Sequence, residues 1–167
     1  MASSEVRKRP KLLVFDLDYT LWPFWVDCHV EPPFKKKSNG DVIDSLLRKI
    51  EHYPDVPEVL HQLHKEGYTL AIASRTGAPK DAQSLLDLFG WNKYFSYKEM
   101  YPGGKKTHFS RIQKDSGIEY KDMIFFDDEP RNIRDISHLG VLAVRIYEET
   151  GTTKMVVKEA LEEFSKR

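Results

Sequence analysis

Leu12-Leu13-Val14-Phe15-Asp16-Leu17-Asp18-Tyr19-Thr20 decides the fold. Four apolar residues that stop at a carboxylate read as a strand buried on both faces, as in a parallel sheet, with its charged exit at the carboxyl end. The same pattern recurs along the chain. Further strands are predicted at residues 68–73, 94–97, 123–126 and 141–146, the first strand covering 11–15. Helices fall between them. One follows Asp55, which can cap it, with Pro57 in the first turn and Gly67 just past the end. Others are predicted at 79–89, stopped by Gly90, at 107–114, closed near Gly117, and at about 130–138 and 153–164. Strands alternating with helices of this length predict a doubly wound α/β fold, a parallel sheet with helices on both faces.

Residues 21–53 break the rhythm. They open with Trp22-Pro23-Phe24-Trp25, pass through Pro32-Pro33 and Lys35-Lys36-Lys37, and turn at Asn39-Gly40, a hairpin signal. This stretch is read as a flap or hairpin insert within one domain spanning 11–167. Residues 1–10, with Arg7, Lys8 and Arg9 in a row, are read as a flexible, solvated tail.

Composition narrows the function classes. At 167 residues the chain suits one core, and 40% hydrophobic with 31% charged residues describes a globule. Lys+Arg and Asp+Glu both number 26, so no net field draws the chain to nucleic acid or to an anionic membrane. No apolar stretch is long enough for a signal peptide or a membrane span. Cys28 stands alone and cannot form an internal disulfide, which suits a reducing compartment; a cytoplasmic monomer is expected.

Ligands of open parallel sheets collect outside the carboxyl ends of the strands. Three exits carry chemistry there: Asp16-Leu17-Asp18-Tyr19-Thr20, Ser74-Arg75-Thr76 and Asp127-Asp128-Glu129. Two carboxylates about 4 Å apart repel by roughly 4 kcal/mol at an effective dielectric near 20, so several converge only if a cation joins them. A hard divalent ion with oxygen ligands, Mg²⁺ above all, is the natural candidate. The alternative is that Asp16 and Asp18 cap a helix and Asp127 and Asp128 sit in a solvated turn.

The run from Leu12 to Thr20 resembles the first motif of the haloacid dehalogenase superfamily, an apolar strand followed by D-x-D-x-T. Ser74 after Leu70-Ala71-Ile72-Ala73 resembles the second motif, Lys105 or Lys106 the third, and Phe125-Phe126-Asp127-Asp128 the fourth. Within that superfamily the run from Phe15 to Asp27, with Ala73-Ser74-Arg75-Thr76 and Phe126-Asp127-Asp128-Glu129, is similar to the magnesium-dependent phosphatase 1 family. The resemblance implies a Rossmann-like core and a phosphomonoesterase that works through an aspartyl-phosphate. Asp16 is then the nucleophile, and Asp18 protonates the leaving oxygen and later activates water. Mg²⁺ is held by the Asp16 carboxylate, the Asp18 carbonyl and a carboxylate of the Asp127-Asp128 pair, Asp128 being favoured and Asp127 left to the lysine. Substrate contacts are implied for Leu17, Asp18, Thr20, Trp22, Ser74, Arg75 and Lys105. Lys105 is preferred to Lys106 because glycines 103 and 104 let the chain turn the next side chain inward. Arg75 is read either as a fork for phosphate or carboxylate or as a surface ion pair.

Neither gap between the motifs, 53 residues from Thr20 to Ser74 and 30 from Ser74 to Lys105, holds a folded cap. An uncapped cleft admits bulky substrates, a phosphoprotein as well as a phosphorylated small molecule, such as phosphotyrosine or sugar phosphates on amines. Trp22, Phe24 and Trp25 then either wall the cleft or pack the flap on the core. A binding module without turnover would be expected to lack Asp16 or Asp18, and both are present; a phosphatase for nucleic-acid ends would want a basic groove. Other motifs fail. Phe34 stands where C-x5-R from Cys28 needs arginine, and Glu99 where a P-loop ending in Gly104-Lys105 needs glycine. Leu21 occupies the glycine position of a calcium loop from Asp16, and His61 and His64 lack metalloprotease spacing.

Overall fold

Leu12–Phe15 forms β1 with all four side chains buried. The structure, a computed structural model, describes residues 8–167. Along the chain follow β2 (Lys35–Lys36), β3 (Val42–Ile43), α1 (Val56–Lys65), β4 (Leu70–Ser74), α2 (Pro79–Leu88), β5 (Phe95–Met100) and α3 (Lys105–Ser116). β6 (Met123–Asp127), α4 (Pro130–Ser137), β7 (Leu142–Arg145) and α5 (Lys154–Ser165) complete it. β1 sits at the centre of a five-stranded sheet in the order β5-β4-β1-β6-β7, with every pairing parallel.

Period two sorts the side chains of these strands onto two faces. Leu13, Phe15, Leu70, Ile72, Ile124 and Phe126 join the core beneath α1, α2 and α5. Leu12, Val14, Ala71, Ala73, Met123 and Phe125 join the smaller core beneath α3 and α4. Covered on both faces, the strands carry no polar stripe, so the apolar runs were legible as strands. Within residues 21–53 the chain forms a short antiparallel hairpin, β2 with β3, turning at Gly40 with φ +95°. Its inner end is held by Asp44, a buried carboxylate that accepts from the backbone N–H groups of Glu31, Leu46 and Arg48 and from the Arg48 guanidinium.

Three expectations are corrected. Asp55 does not cap its own helix: its backbone is already helical, and its Oδ2 instead accepts from the Lys154 N–H at 3.0 Å, at the start of α5. α3 begins at Lys105, two residues before the predicted start, because Gly104 is extended and hands over directly to the helix without a side-chain cap. At the amino terminus, residues 1–7 of the expected tail lie outside the described residues, whereas Lys8, Arg9 and Pro10 are engaged with the body. The Arg9 guanidinium donates to the Glu66 carbonyl at 2.8 Å and lies over the Tyr68 ring, and Pro10 is buried.

The segment between β7 and α5 braces the loop after β1. The Thr152 hydroxyl and N–H both donate to the Thr20 carbonyl, and the Tyr53 hydroxyl donates to the Glu148 carbonyl. Gly151 makes this close approach: its φ is +63°, and a Cβ there would lie 2.1 Å from the Tyr53 ring. Gly151→Ala is therefore expected to cost about 1–3 kcal/mol through overpacking, read as a lower urea midpoint. An unchanged midpoint would show that the ring has room to move.

Candidate active site

Three strand ends and one helix start build the site. Asp16 leaves β1 almost fully buried. Its Oδ1 accepts from Lys105 Nζ at 2.7 Å and its Oδ2 from the Thr20 hydroxyl at 2.9 Å. Lys105, the first residue of α3, also donates to Asp127 Oδ2 at 2.5 Å. Asp127 ends β6 with both oxygens engaged, Oδ2 also accepting from Asn132 Nδ2 and Oδ1 from the Glu129 N–H. Asp128 beside it faces the cleft, and carboxylate oxygens of Asp16, Asp127 and Asp128 lie within 4.8 Å of one another.

Between the acidic exits the chain folds tightly. The Leu17 carbonyl accepts from the N–H groups of Thr20 and Leu21, and Tyr19 takes a left-handed φ of +58°, at a cost of order 1–3 kcal/mol that such positions accept at functional sites. This turn brings Asp18 round to the cleft, where its Oδ1 accepts from Trp22 Nε1 at 2.8 Å and from the Val26 N–H at 3.0 Å. Ser74 ends β4, buried, its Oγ accepting from the Thr76 N–H. Arg75 reaches across the mouth towards Glu129, 3.9 Å away. The cleft has a volume of about 460 Å³ and is lined by Asp16, Asp18, Trp25, Asp27, Cys28, Ser74, Arg75, Thr76, Lys105, Asp128, Glu129 and Asn132.

The acid phosphatase family matches residues 8–167. Magnesium-dependent phosphatase 1 of Homo sapiens is 52% identical over 157 residues, covering 94% of this chain and 88% of its own. The chain is a haloacid dehalogenase superfamily phosphatase of the magnesium-dependent phosphatase 1 family. A HAD-like hydrolase superfamily protein of Schizosaccharomyces pombe is 46% identical over 143 residues, covering 79% of this chain and 83% of its own. In fold it is similar to a HAD-superfamily hydrolase from Ehrlichia chaffeensis, with a TM-score of 0.66 at 13% identity over 95% of this chain and 98% of that one. It also resembles the phosphatase domain of a Bacteroides fragilis protein solved with Mg, with a TM-score of 0.62 at 17% identity over 92% of this chain and 40% of that one.

In this magnesium-dependent phosphatase the donor set fits the metal. Burial, with Asp127 and Asp128 nearby, pushes the Asp16 carboxyl well above its usual range, although Lys105 pulls the other way. Burial and the Asp127 charge likewise raise Asp128. Burial alone would lower the Lys105 ammonium, but the charges of Asp127 and Asp16 overcome it and hold it above its ordinary value. Three carboxylates against one ammonium leave an excess of negative charge that a divalent cation with oxygen ligands relieves.

The expected residues divide clearly. Asp16, Asp18, Ser74, Arg75, Lys105 and Asp128 share the cleft, and Thr20 bonds the Asp16 carboxylate from behind. Lys106 is exposed, so the lysine at the carboxylates is Lys105. Trp22 is corrected. It is fully buried, stacked with Phe24 and Trp91, and meets the site only through its bond to Asp18, because the flap needs its ring as core; Trp25, half-exposed, lines the cleft instead. The Leu17 side chain is buried too, leaving only its backbone near the site. Asn132, Thr76 and Asp27 were missed. For Asn132 a signal existed, since Pro130 starts a helix straight after the acidic exit and its first turn must face that exit.

Proposed function

We propose that this phosphatase cleaves phosphate monoesters through a covalent aspartyl-phosphate on Asp16, and that its substrates are phosphotyrosine in proteins or sugar phosphates carried on amines. One observation supports this above others: Asp16, nearly buried and bonded to Lys105, opens onto the same uncovered cleft as Asp18 and Ser74. A carboxylate oxygen of Asp16 attacks phosphorus while the bond to the leaving oxygen breaks, and that oxygen takes the Asp18 proton. Burial holds the Asp18 carboxyl above its ordinary value, against the bonds from Trp22 and Val26, which favours carrying that proton. Asp18 then takes a proton from water, whose oxygen attacks phosphorus, and Asp16 departs as a carboxylate, leaving inorganic phosphate.

Ser74 Oγ and Lys105 Nζ hold the phosphoryl oxygens in this scheme, the lysine also offsetting charge on Asp16. Asp16 and Asp128 with the Asp18 carbonyl would hold magnesium, while Asp127, both oxygens occupied, keeps Lys105 and Asn132 in place. When bound, magnesium supplies charge neutralisation and Lewis acidity at the transferring group. Arg75 and Trp25 sit at the rim, where a fork and a flat ring suit a large phosphorylated group. The exposed thiol of Cys28 accords with a reducing cytoplasmic setting, and we read the chain as a monomer there. Among the described residues no helix is long and apolar enough to cross a membrane.

The test is hydrolysis of 4-nitrophenyl phosphate and of an alkyl phosphate by the full chain, with Mg²⁺ and with EDTA. Turnover should need Mg²⁺. Asp18→Asn should slow the alkyl ester by a further factor of about 10²–10⁴ relative to the aryl ester, because only the poorer leaving group depends on the donated proton. Equal losses on both esters would remove Asp18 as the acid, and full turnover in EDTA would remove the metal. A phosphate-release screen over phosphotyrosine peptides and amine-linked sugar phosphates then decides between the substrate classes.

A further inference from the structure

Among the described residues His108 is the one fully buried histidine, and the proposed mechanism does not use it. It lies on α3 three residues after Lys105, and residues so spaced project from one helix face. The face that sends the ammonium between Asp16 and Asp127 thus sends an imidazole beneath two neighbouring chain ends. His108 Nε2 is 2.8 Å from the Ser74 carbonyl oxygen and 2.8 Å from the Tyr101 carbonyl oxygen. Nδ1 is 3.3 Å from the Gly104 carbonyl. Two carbonyl oxygens at hydrogen-bond distance call for a donor, so Nε2 carries a proton and donates to both.

Each carbonyl belongs to a segment that carries site chemistry. Ser74 is where β4 ends and the expected phosphate contact begins. Tyr101 starts the loop that runs through Pro102, Gly103 and Gly104 to Lys105. The pairing of β4 with β5 stops at Ser74 and Met100, so the Tyr101 carbonyl lies past the ladder and receives no strand N–H. The Ser74 carbonyl already accepts from the Tyr101 N–H at 3.0 Å, so the imidazole is its second donor, whereas for the Tyr101 carbonyl past the ladder the imidazole supplies the donor. Beyond the Tyr101 N–H bond to Ser74 the loop turns at Gly103, which has φ +115° and no atom within 4 Å of where a Cβ would be. The Tyr101 ring stacks on the imidazole with ring centroids 4.2 Å apart.

We infer that His108 is a positioning residue, cross-pinning the end of β4 to the loop before α3 and thereby setting the spacing between Ser74 Oγ and Lys105 Nζ. This rests on the reading that those two groups hold the phosphoryl oxygens. His108 does not line the cleft and touches no substrate. Displacement of a site group by about 1 Å can cost on the order of 10²-fold in rate, which sets the scale of the effect.

The experiment compares His108→Leu, which keeps bulk and loses the donor, with His108→Gln, whose amide N–H reaches towards the Nε2 position. With the full chain in Mg²⁺, kcat and KM for 4-nitrophenyl phosphate and the inhibition constant for inorganic phosphate are measured beside the urea midpoint. His108→Leu should lose about 10- to 100-fold in kcat/KM and weaken phosphate inhibition about tenfold. His108→Gln should recover most of both, and Ser74→Ala combined with His108→Leu should lose less than the product of the single losses. Wild-type kinetics and phosphate inhibition in His108→Leu, or equal impairment in the Gln variant, would overturn the inference. If His108→Leu does not fold, His108→Asn, too short to reach both carbonyls, takes its place in the comparison. Unaltered phosphate inhibition in Ser74→Ala overturns the site assignment itself, whereas an impaired Ser74→Ala beside a normal His108→Leu overturns only the role of His108.

Discussion

Asp16→Asn is expected to lower turnover of an aryl phosphate by roughly 10⁴-fold or more, the scale seen when a covalent nucleophile is removed. The amide has the shape of the carboxylate, so its bond from Thr20 survives and the chain should still fold. The same variant carries a stability signature with a definite sign. Burial, then Asp127, raise the Asp16 carboxyl in the folded chain, so the native state binds its proton more tightly than the unfolded state does. Below the unfolded value of about 3.9 both states are protonated and the group costs nothing. As pH rises from there through the raised native value, the wild type in EDTA should lose stability, and the loss should persist above it. Asp16→Asn should flatten that slope, read from urea midpoints at acid and neutral pH. Retained turnover would discard the nucleophile, and an unchanged slope would discard the electrostatic account of the cluster.

Lys105→Met should be the most damaging single change to the fold. The ammonium is fully buried between Asp16 and Asp127, and removing one partner of a buried ion pair typically costs about 3–5 kcal/mol. The unfolding midpoint in EDTA should fall accordingly, and Mg²⁺ should restore part of it. Lys105→Arg should not rescue the protein, because a planar guanidinium cannot enter a space shaped for an ammonium. Pairing Lys105→Met with Asp127→Asn should recover stability but not turnover, since one charge is then no longer stranded while the phosphoryl group still lacks its cation. A midpoint within error of wild type for Lys105→Met would mean that the carboxylates are held apart by something other than this lysine.

Much of the architecture was legible because strands buried on both faces must be apolar at every position, so residues 12–15 and 123–126 stood out without context. Their carboxylate exits were legible for the same reason, since a charge can follow such a strand only where the sheet ends. Trp22 was misread because a tryptophan next to an acidic motif suits a cleft wall and a core equally well, and only packing against Phe24 and Trp91 separates the two. Asp55 was misassigned because capping depends on backbone angles that residue type alone does not reveal.

The order of residues alone determined that acidic groups leave two strands and that a serine leaves a third, because strand periodicity and helix punctuation are local properties of the chain. Which lysine joins them, which aspartate of the adjacent pair it engages, and which histidine ties the serine to that lysine were decided only when α3 packed beneath β4 and β5. Those choices depend on distances between residues 22 to 89 positions apart, and such distances exist only once burial has brought the segments together.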